Sequence, residues 1–200
     1  MKRKPTTRTT LEWRAFELAP VSVPDGPPRI EGHAAVFDKL SHDLGGFREL
    51  IQPGAFTNTL LSIEDLRAKF NHDDNFILGR LRSGTLELRE DDRGLRMIIL
   101  PPDTTWVRDL LVSMERGDVT GSSFAFRVPD GGDSWRSTDH GMVRTVHEID
   151  LRGGDVSVVS SPAYESTTAA VKRSLWLARR DAAQGANQRE ANALALCVGG

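Results

Sequence analysis

The sequence predicts a mainly β chain with helices: an antiparallel β-barrel surrounded by two or three helices. Three observations lead there. Short runs of alternating or wholly apolar residues recur along most of the chain, as strands do. Gly, Pro, Asp and Asn separate those runs at short intervals, in the manner of turns. Only one segment carries a strong helical period, and many short strands beside few helices suit a closed antiparallel sheet with helices around it.

Taken in order, Leu11 to Leu18 alternates apolar and polar residues as a half-buried strand does. Residues 21–28 hold three of the ten prolines and form a loop. Ile30 to Phe37 is a second strand, leading into a loop over Ser41 to Gly46. Phe47 to Ile51 is a short strand broken by Pro53-Gly54, after which a short helix runs from about Ala55 to Asp65. Leu66 to Asp73 is another apolar, strand-like stretch, with His72 at its end.

Thr85 to Arg89 and Leu95 to Leu100 flank the acidic, Gly-containing turn Glu90 to Gly94, which predicts a hairpin. The clearest helix follows, capped by Asp103 or Thr104 and ended at Gly117. Its stripe of Trp106, Val107, Leu110, Leu111 and Met114 is core packing. Val119 to Val128 is a strand, Pro129 to His140 a polar hairpin loop, and Gly141 to Val146 the returning strand. Asp155 to Val159 is the last strand, and after a turn at Ser161 to Tyr164 a helix covers about Ser166 to Arg180.

These elements make one domain over residues 11–180, with a disordered basic arm over 1–10 and a flexible tail over 181–200. No internal repeat is present. An apolar fraction of 38% and a charged fraction of 27% are those of a soluble globular protein. The longest strongly apolar run, Met97 to Leu100, is far too short to cross a bilayer, and the N-terminus lacks a signal-peptide core. A net charge of −2 argues against a dedicated nucleic-acid binder. The single cysteine, Cys197, excludes an internal disulfide framework and a multi-cysteine zinc site, and points to a reducing cytosol.

Chemistry is suggested by three residues on separate strand-like segments: His72, Ser123 and Asp155. In Gly121-Ser122-Ser123-Phe124-Ala125-Phe126, side-chain alternation sends both phenylalanines to one face and Ser123 with Ala125 to the other. The phenylalanines anchor the strand, and the serine face is left shallow and open. A histidine, a serine and a carboxylate are the parts of a nucleophilic hydrolase. Spacing alone does not decide it, because serines are usually surface hydroxyls and histidines usually packing or hydrogen-bonding residues. His33 reads as a satisfied core or edge histidine, His42 and His140 as solvent-facing, and Asp91 with Asp92 as turn residues. Asp73 and Asp74 beside His72 lack the ligand count that zinc demands, and no cofactor site is expected.

Four segments together carry a resemblance. They are Gly32 to Phe37 running on to Gly45-Gly46-Phe47-Arg48-Glu49 and Pro53-Gly54-Ala55-Phe56; Asn71-His72-Asp73 with Leu78-Gly79-Arg80; Arg116 to Phe126; and Asp155 to Val159 with Pro162-Ala163-Tyr164. In that order the chain resembles the prohead proteases of tailed bacteriophages, distant relatives of the herpesvirus assemblins. The resemblance covers roughly residues 30–172.

It implies an assemblin-like fold and a serine endopeptidase without cofactor, whose serine and histidine fall on Ser123 and His72. Ser123 is the match rather than Ser122 because it directly precedes the Phe-x-Phe pair. Family members usually carry glutamate where this chain has Asp155, preceded here by Gly153-Gly154, so either the strand sits closer to His72 or another group orients the imidazole. The third member in the herpesvirus relatives is a histidine, which leaves His147 as a second candidate and Glu148 and Asp150 as weaker ones. An oxyanion donor is expected from a backbone N–H of Leu151 to Gly154, assisted by Arg152.

The implied substrates are the scaffolding segment of the major capsid protein and the chain itself, cut within its C-terminal tail. The implied setting is the immature capsid inside the host cytoplasm, with no nucleic acid or membrane as partner and homo-oligomerisation left open. Two other functions compete. A non-catalytic scaffold would keep the serine strand as packing but would not require His72 and Ser123 together. An esterase or amidase would use the same triad, yet the chain has no Gly-x-Ser-x-Gly elbow.

Overall fold

The structure, a computed structural model, describes residues 10–17 and 28–160. Eleven strands and two helices are formed among them. The strands are β1 (Glu12–Glu17), β2 (Ile30–Val36), β3 (Phe47–Ile51), β4 (Arg67–Phe70), β5 (Asp73–Arg80), β6 (Leu86–Glu90) and β7 (Gly94–Ile99), then β8 (Gly121–Arg127), β9 (Asp133–Thr138), β10 (Gly141–Val146) and β11 (Asp150–Val159). The helices are α1 (Thr57–Ser62) and α2 (Thr105–Glu115). The expected helix after Ser166 and both tails lie outside the described residues.

The strands form one five-stranded sheet, β1-β8-β11-β4-β5, and two of three strands, β3-β10-β9 and β2-β7-β6. The chain is therefore mainly β with few helices, as predicted. The expected antiparallel barrel is not what the ladders draw: they do not close among the described residues, and β11 with β4 and β10 with β3 pair in parallel. Local alternation reports which residues form strands but not which strand ends pair, and that accounts for the difference.

Within the core, Phe124 and Phe126 of β8 stack with centroids 4.6 Å apart, and Phe16 of β1 and Phe56 pack on Phe124. Strand β2 packs across this face of β1 and β8. Helix α2 adds Val107, Leu110, Leu111 and Met114 to the same core, while Trp106 meets Phe76 of β5 edge-on. Thr104 caps α2 by position only; its hydroxyl makes no bond and is buried. Helix α1 is shorter than expected, ending at Ser62 rather than near Asp65.

Two strands went unread in the sequence. Strand β5 opens on two aspartates and lies at a sheet edge, and β9 occupies what reads as a hairpin loop. β9 is largely exposed, so it has no apolar face to betray it. Strand β1 was read, but its buried side is the charged one. Arg14 is 6% exposed while Trp13 is 39% exposed. The reason is a buried ion cluster: Arg14 makes a bidentate pair with Glu49 of β3, and Arg144 of β10 bonds Glu49, Glu12 and Asp133. The Arg14 guanidinium also stands over the Phe126 ring. Every charge in the cluster has a partner of opposite sign, the condition under which burial is tolerated. The cluster ties the β3-β10-β9 sheet to β1.

Candidate active site

His72 does not sit on a strand, as the sequence suggested, but in the two-residue turn between β4 and β5. Phe70 and Asp73 pair across it, and Asn71 and His72 have φ of 51° and 59°. Two successive positive φ values are what a tight hairpin needs to match the strand twist. Asn and His enter this region more readily than most residues, though still at a cost of about 1–3 kcal/mol each. Bonds to β11 and its end hold the turn down. Asn71 N–H donates to Val158 O, His72 N–H to Ser157 Oγ at 3.2 Å, and Ser160 N–H to Asn71 Oδ1 at 3.0 Å.

Ser123 occupies the middle of β8, between β1 and β11, with Ala15 and Ser157 as its cross-strand partners. The predicted alternation is present: Ser122 lies on the Phe124 face, where its hydroxyl donates to His33 O, and Ser123 faces the other way. That second face is not open, however. Ser123 is 2% exposed and Ala125 is fully buried, and the His72 side chain reaches it from the turn.

The Asp155 carboxylate reaches the same face through an irregularity in β11. Pairing with β8 shifts register between Asp150 and Asp155, so that Asp155 stands opposite Ala125. Gly153 takes φ +74° in this bulge, and a Cβ on Gly154 would meet Ala125 O at 1.8 Å. The Gly-Gly pair is thus what allows the bulge to lie against β8.

The three side chains meet. His72 Nε2 is 2.8 Å from Ser123 Oγ, and His72 Nδ1 is 2.6 Å from Asp155 Oδ1. A carboxylate only accepts, so the proton belongs on Nδ1 and the Nε2 lone pair receives the Ser123 hydroxyl. Ser157 Oγ donates to Asp155 Oδ1 at 2.9 Å. Lys69 Nζ lies 3.3 Å from Asp155 Oδ2 and 2.7 Å from Asp74 Oδ1. Burial pushes the Asp155 carboxyl up, but the His72 hydrogen bond and charge, Ser157 and the Lys69 charge together hold it below the usual range. The carboxylate is charged, the imidazole is oriented, and the serine hydroxyl is aimed at a base.

A model of the caudovirus prohead serine protease family matches residues 14–179. The chain belongs to that family. It is a serine-type peptidase of capsid maturation. Among solved structures it is similar to the capsid assembly protease gp21 of bacteriophage T4, with 12% identity and a TM-score of 0.47 over 76% of this chain and 98% of that one. No curated protein matches it.

The other candidates of this prohead protease are engaged elsewhere. Both ring nitrogens of His147 have partners, Ser134 Oγ and Gln52 Oε1 at 2.8 Å each. Glu148 accepts from Asn58, and Asp150 holds the Arg152 guanidinium through two bonds of 2.9 Å. Arg152, expected to assist at the oxyanion, is thereby kept as an exposed partner of Asp150. His33 pairs with Asp91 at 2.9 Å. Among the described residues no group of three or more His, Cys, Asp or Glu could hold a metal ion, and no helix is long and apolar enough to cross a membrane.

Sequence reasoning missed Ser157 and Lys69. For Ser157 a signal existed: it lies two residues after Asp155 and so on the same strand face. Lys69 carried none, since a lysine within an apolar stretch usually marks the solvent side.

Proposed function

We propose that this peptidase cleaves the scaffolding segment of the major capsid protein, and its own C-terminal tail, within the immature capsid in the host cytoplasm. Ser123 is the nucleophile, His72 the general base and Asp155 the third member. The observation that carries the reading is the hydrogen-bonded chain from Ser123 Oγ through both nitrogens of His72 to Asp155, with links of 2.8 and 2.6 Å.

The chemistry follows from that chain. As Ser123 Oγ attacks the scissile carbonyl, its proton moves to His72 Nε2, and Asp155 stabilises the imidazolium that forms. The same proton then passes to the leaving amine, leaving an acyl-enzyme that a water hydrolyses by the reverse transfers. One observation favours the competing reading of a non-catalytic head component: Ser123 is only 2% exposed.

Co-expression with the cognate capsid protein carrying its scaffolding segment separates the two. The proposal expects a shortened capsid protein with the wild-type chain and a full-length one with Ser123→Ala or His72→Ala. Shortening that persists in both variants would overturn it.

A further inference from the structure

We propose that Lys69 is a positioning residue of this peptidase, acting on Ser123 and His72 through the Asp155 carboxylate. The inference rests on the roles proposed above for those three residues. Lys69 stands beside Ser157 in the parallel β4–β11 pair and on the same sheet face. It is 9% exposed, an unusual place for an ammonium, and its Nζ is shared between Asp155 Oδ2 and Asp74 Oδ1.

The division of labour at the carboxylate is explicit. Oδ1 takes His72 Nδ1 and Ser157 Oγ, and Oδ2 faces Lys69. Lys69 therefore fixes which oxygen turns to the imidazole. It also offsets the carboxylate charge in a buried place, so that Asp155 stays ionised as the acceptor for His72 Nδ1. On this face β8 and β1 place Ser123, Ala125, Ala15 and Trp13, which do not titrate, and Arg127 at the end of β8, which donates to Arg152 O; β4 adds the exposed Arg67. The groups in direct contact around the carboxylate are Asp155, His72, Lys69 and the outer Asp74, whose side chain is 79% exposed.

This arrangement gives two substitutions opposite signs. Removing the Lys69 cation makes protonation of Asp155 easier, and a protonated Asp155 no longer supports His72, so the acid limb of the pH–rate profile moves up. Removing the Asp74 anion leaves Lys69 to Asp155 alone, and the limb moves down. A lysine that merely packed would give neither.

The test is the rate at which diisopropyl fluorophosphate labels Ser123 at low ionic strength, followed across the acid limb by intact mass. In that step Ser123 Oγ bonds phosphorus, its proton goes to His72, and fluoride leaves. Lys69→Met should label about tenfold more slowly near neutral pH, the worth of a charge-assisted contact, with the limb raised by roughly one pH unit. Lys69→Arg should recover most of the rate, and Asp74→Asn should lower the limb by a smaller amount. A wild-type limb in Lys69→Met overturns the inference while leaving the proposed function intact, provided Ser123→Ala takes no label. Should Lys69→Met not fold, an unmoved or raised limb in Asp74→Asn overturns it. A wild-type chain unlabelled at Ser123 defeats the proposed function and this inference with it.

Discussion

Ser157 stands directly opposite Ser123 on the neighbouring antiparallel strand, and its hydroxyl is bonded to the histidine whose ring meets Ser123. It accepts from the His72 backbone N–H and donates to Asp155 Oδ1, so one buried oxygen ties the turn to the carboxylate. Two hydroxyls on one rung of the sheet thus have different tasks: Ser123 faces the imidazole Nε2, and Ser157 fixes where that imidazole sits.

Ser157→Ala should accordingly lower kcat on a scaffold–capsid fusion by about tenfold, the worth of a hydrogen bond to a charged group. KM should hardly move, because Ser157 is fully buried. Steady-state kinetics of the fusion check this. A change confined to KM would contradict it.

Asp155→Asn should lower kcat by more than about tenfold with little change in KM, since a neutral amide does not stabilise the imidazolium. His147→Ala should be much milder, because His147 is occupied by Ser134 and Gln52. The reverse order of effects would move the third role to His147.

The turn makes its own demand. Asn71 sits at φ 51°, which a β-branched residue resists, so Asn71→Val should cost about 2 kcal/mol and misplace His72. Asn71→Gly should keep the turn and lose only the Ser160 contact. Denaturant midpoints of the two variants, with cleavage rates beside them, test this. Equal behaviour of Val and Gly would remove the strain argument.

Acid should loosen β1 through Glu12. Burial pushes its carboxyl up, but the Arg14 charge and the Arg144 hydrogen bond prevail and hold it at about 2, against 4.5 unperturbed. A depressed carboxylate stabilises the fold above its unfolded value and loses that contribution as pH falls, here from about 4.5 towards 2. The contribution amounts to about 3 kcal/mol when fully present. Glu12→Gln should lower stability at neutral pH and flatten its decline in that acid window. Thermal melts against pH measure both, and an unchanged decline would exclude Glu12 as its source.

What the sequence disclosed follows from what side-chain pattern can encode. Phe124 and Phe126 alternate with Ser123 and Ala125, and that local rule put Ser123 on the right face. The α2 stripe and the β6–β7 hairpin were equally legible, for their period and turn residues are local. His72 was misplaced because Asn71-His72 is not a usual hairpin dipeptide; only the backbone reveals its positive φ. β9 was hidden by its exposure and β5 by its acidic start, and β1 buries charges rather than its tryptophan because partners arrive from β3 and β10. Lys69 owes its environment to Asp155, 86 residues away in the chain. No local pattern announces a contact of that kind.

The central claim is that Ser123, and not its neighbour Ser122, performs the attack. Ser122 lies on the Phe124 face with its hydroxyl given to His33 O, whereas Ser123 meets His72 Nε2. Intact-mass measurement of the expressed chain, beside Ser123→Ala and Ser122→Ala versions, tests this most directly. Wild type and Ser122→Ala should both be trimmed, and Ser123→Ala should remain at its full 22.1 kDa. A trimmed Ser123→Ala beside an uncut Ser122→Ala would contradict the account.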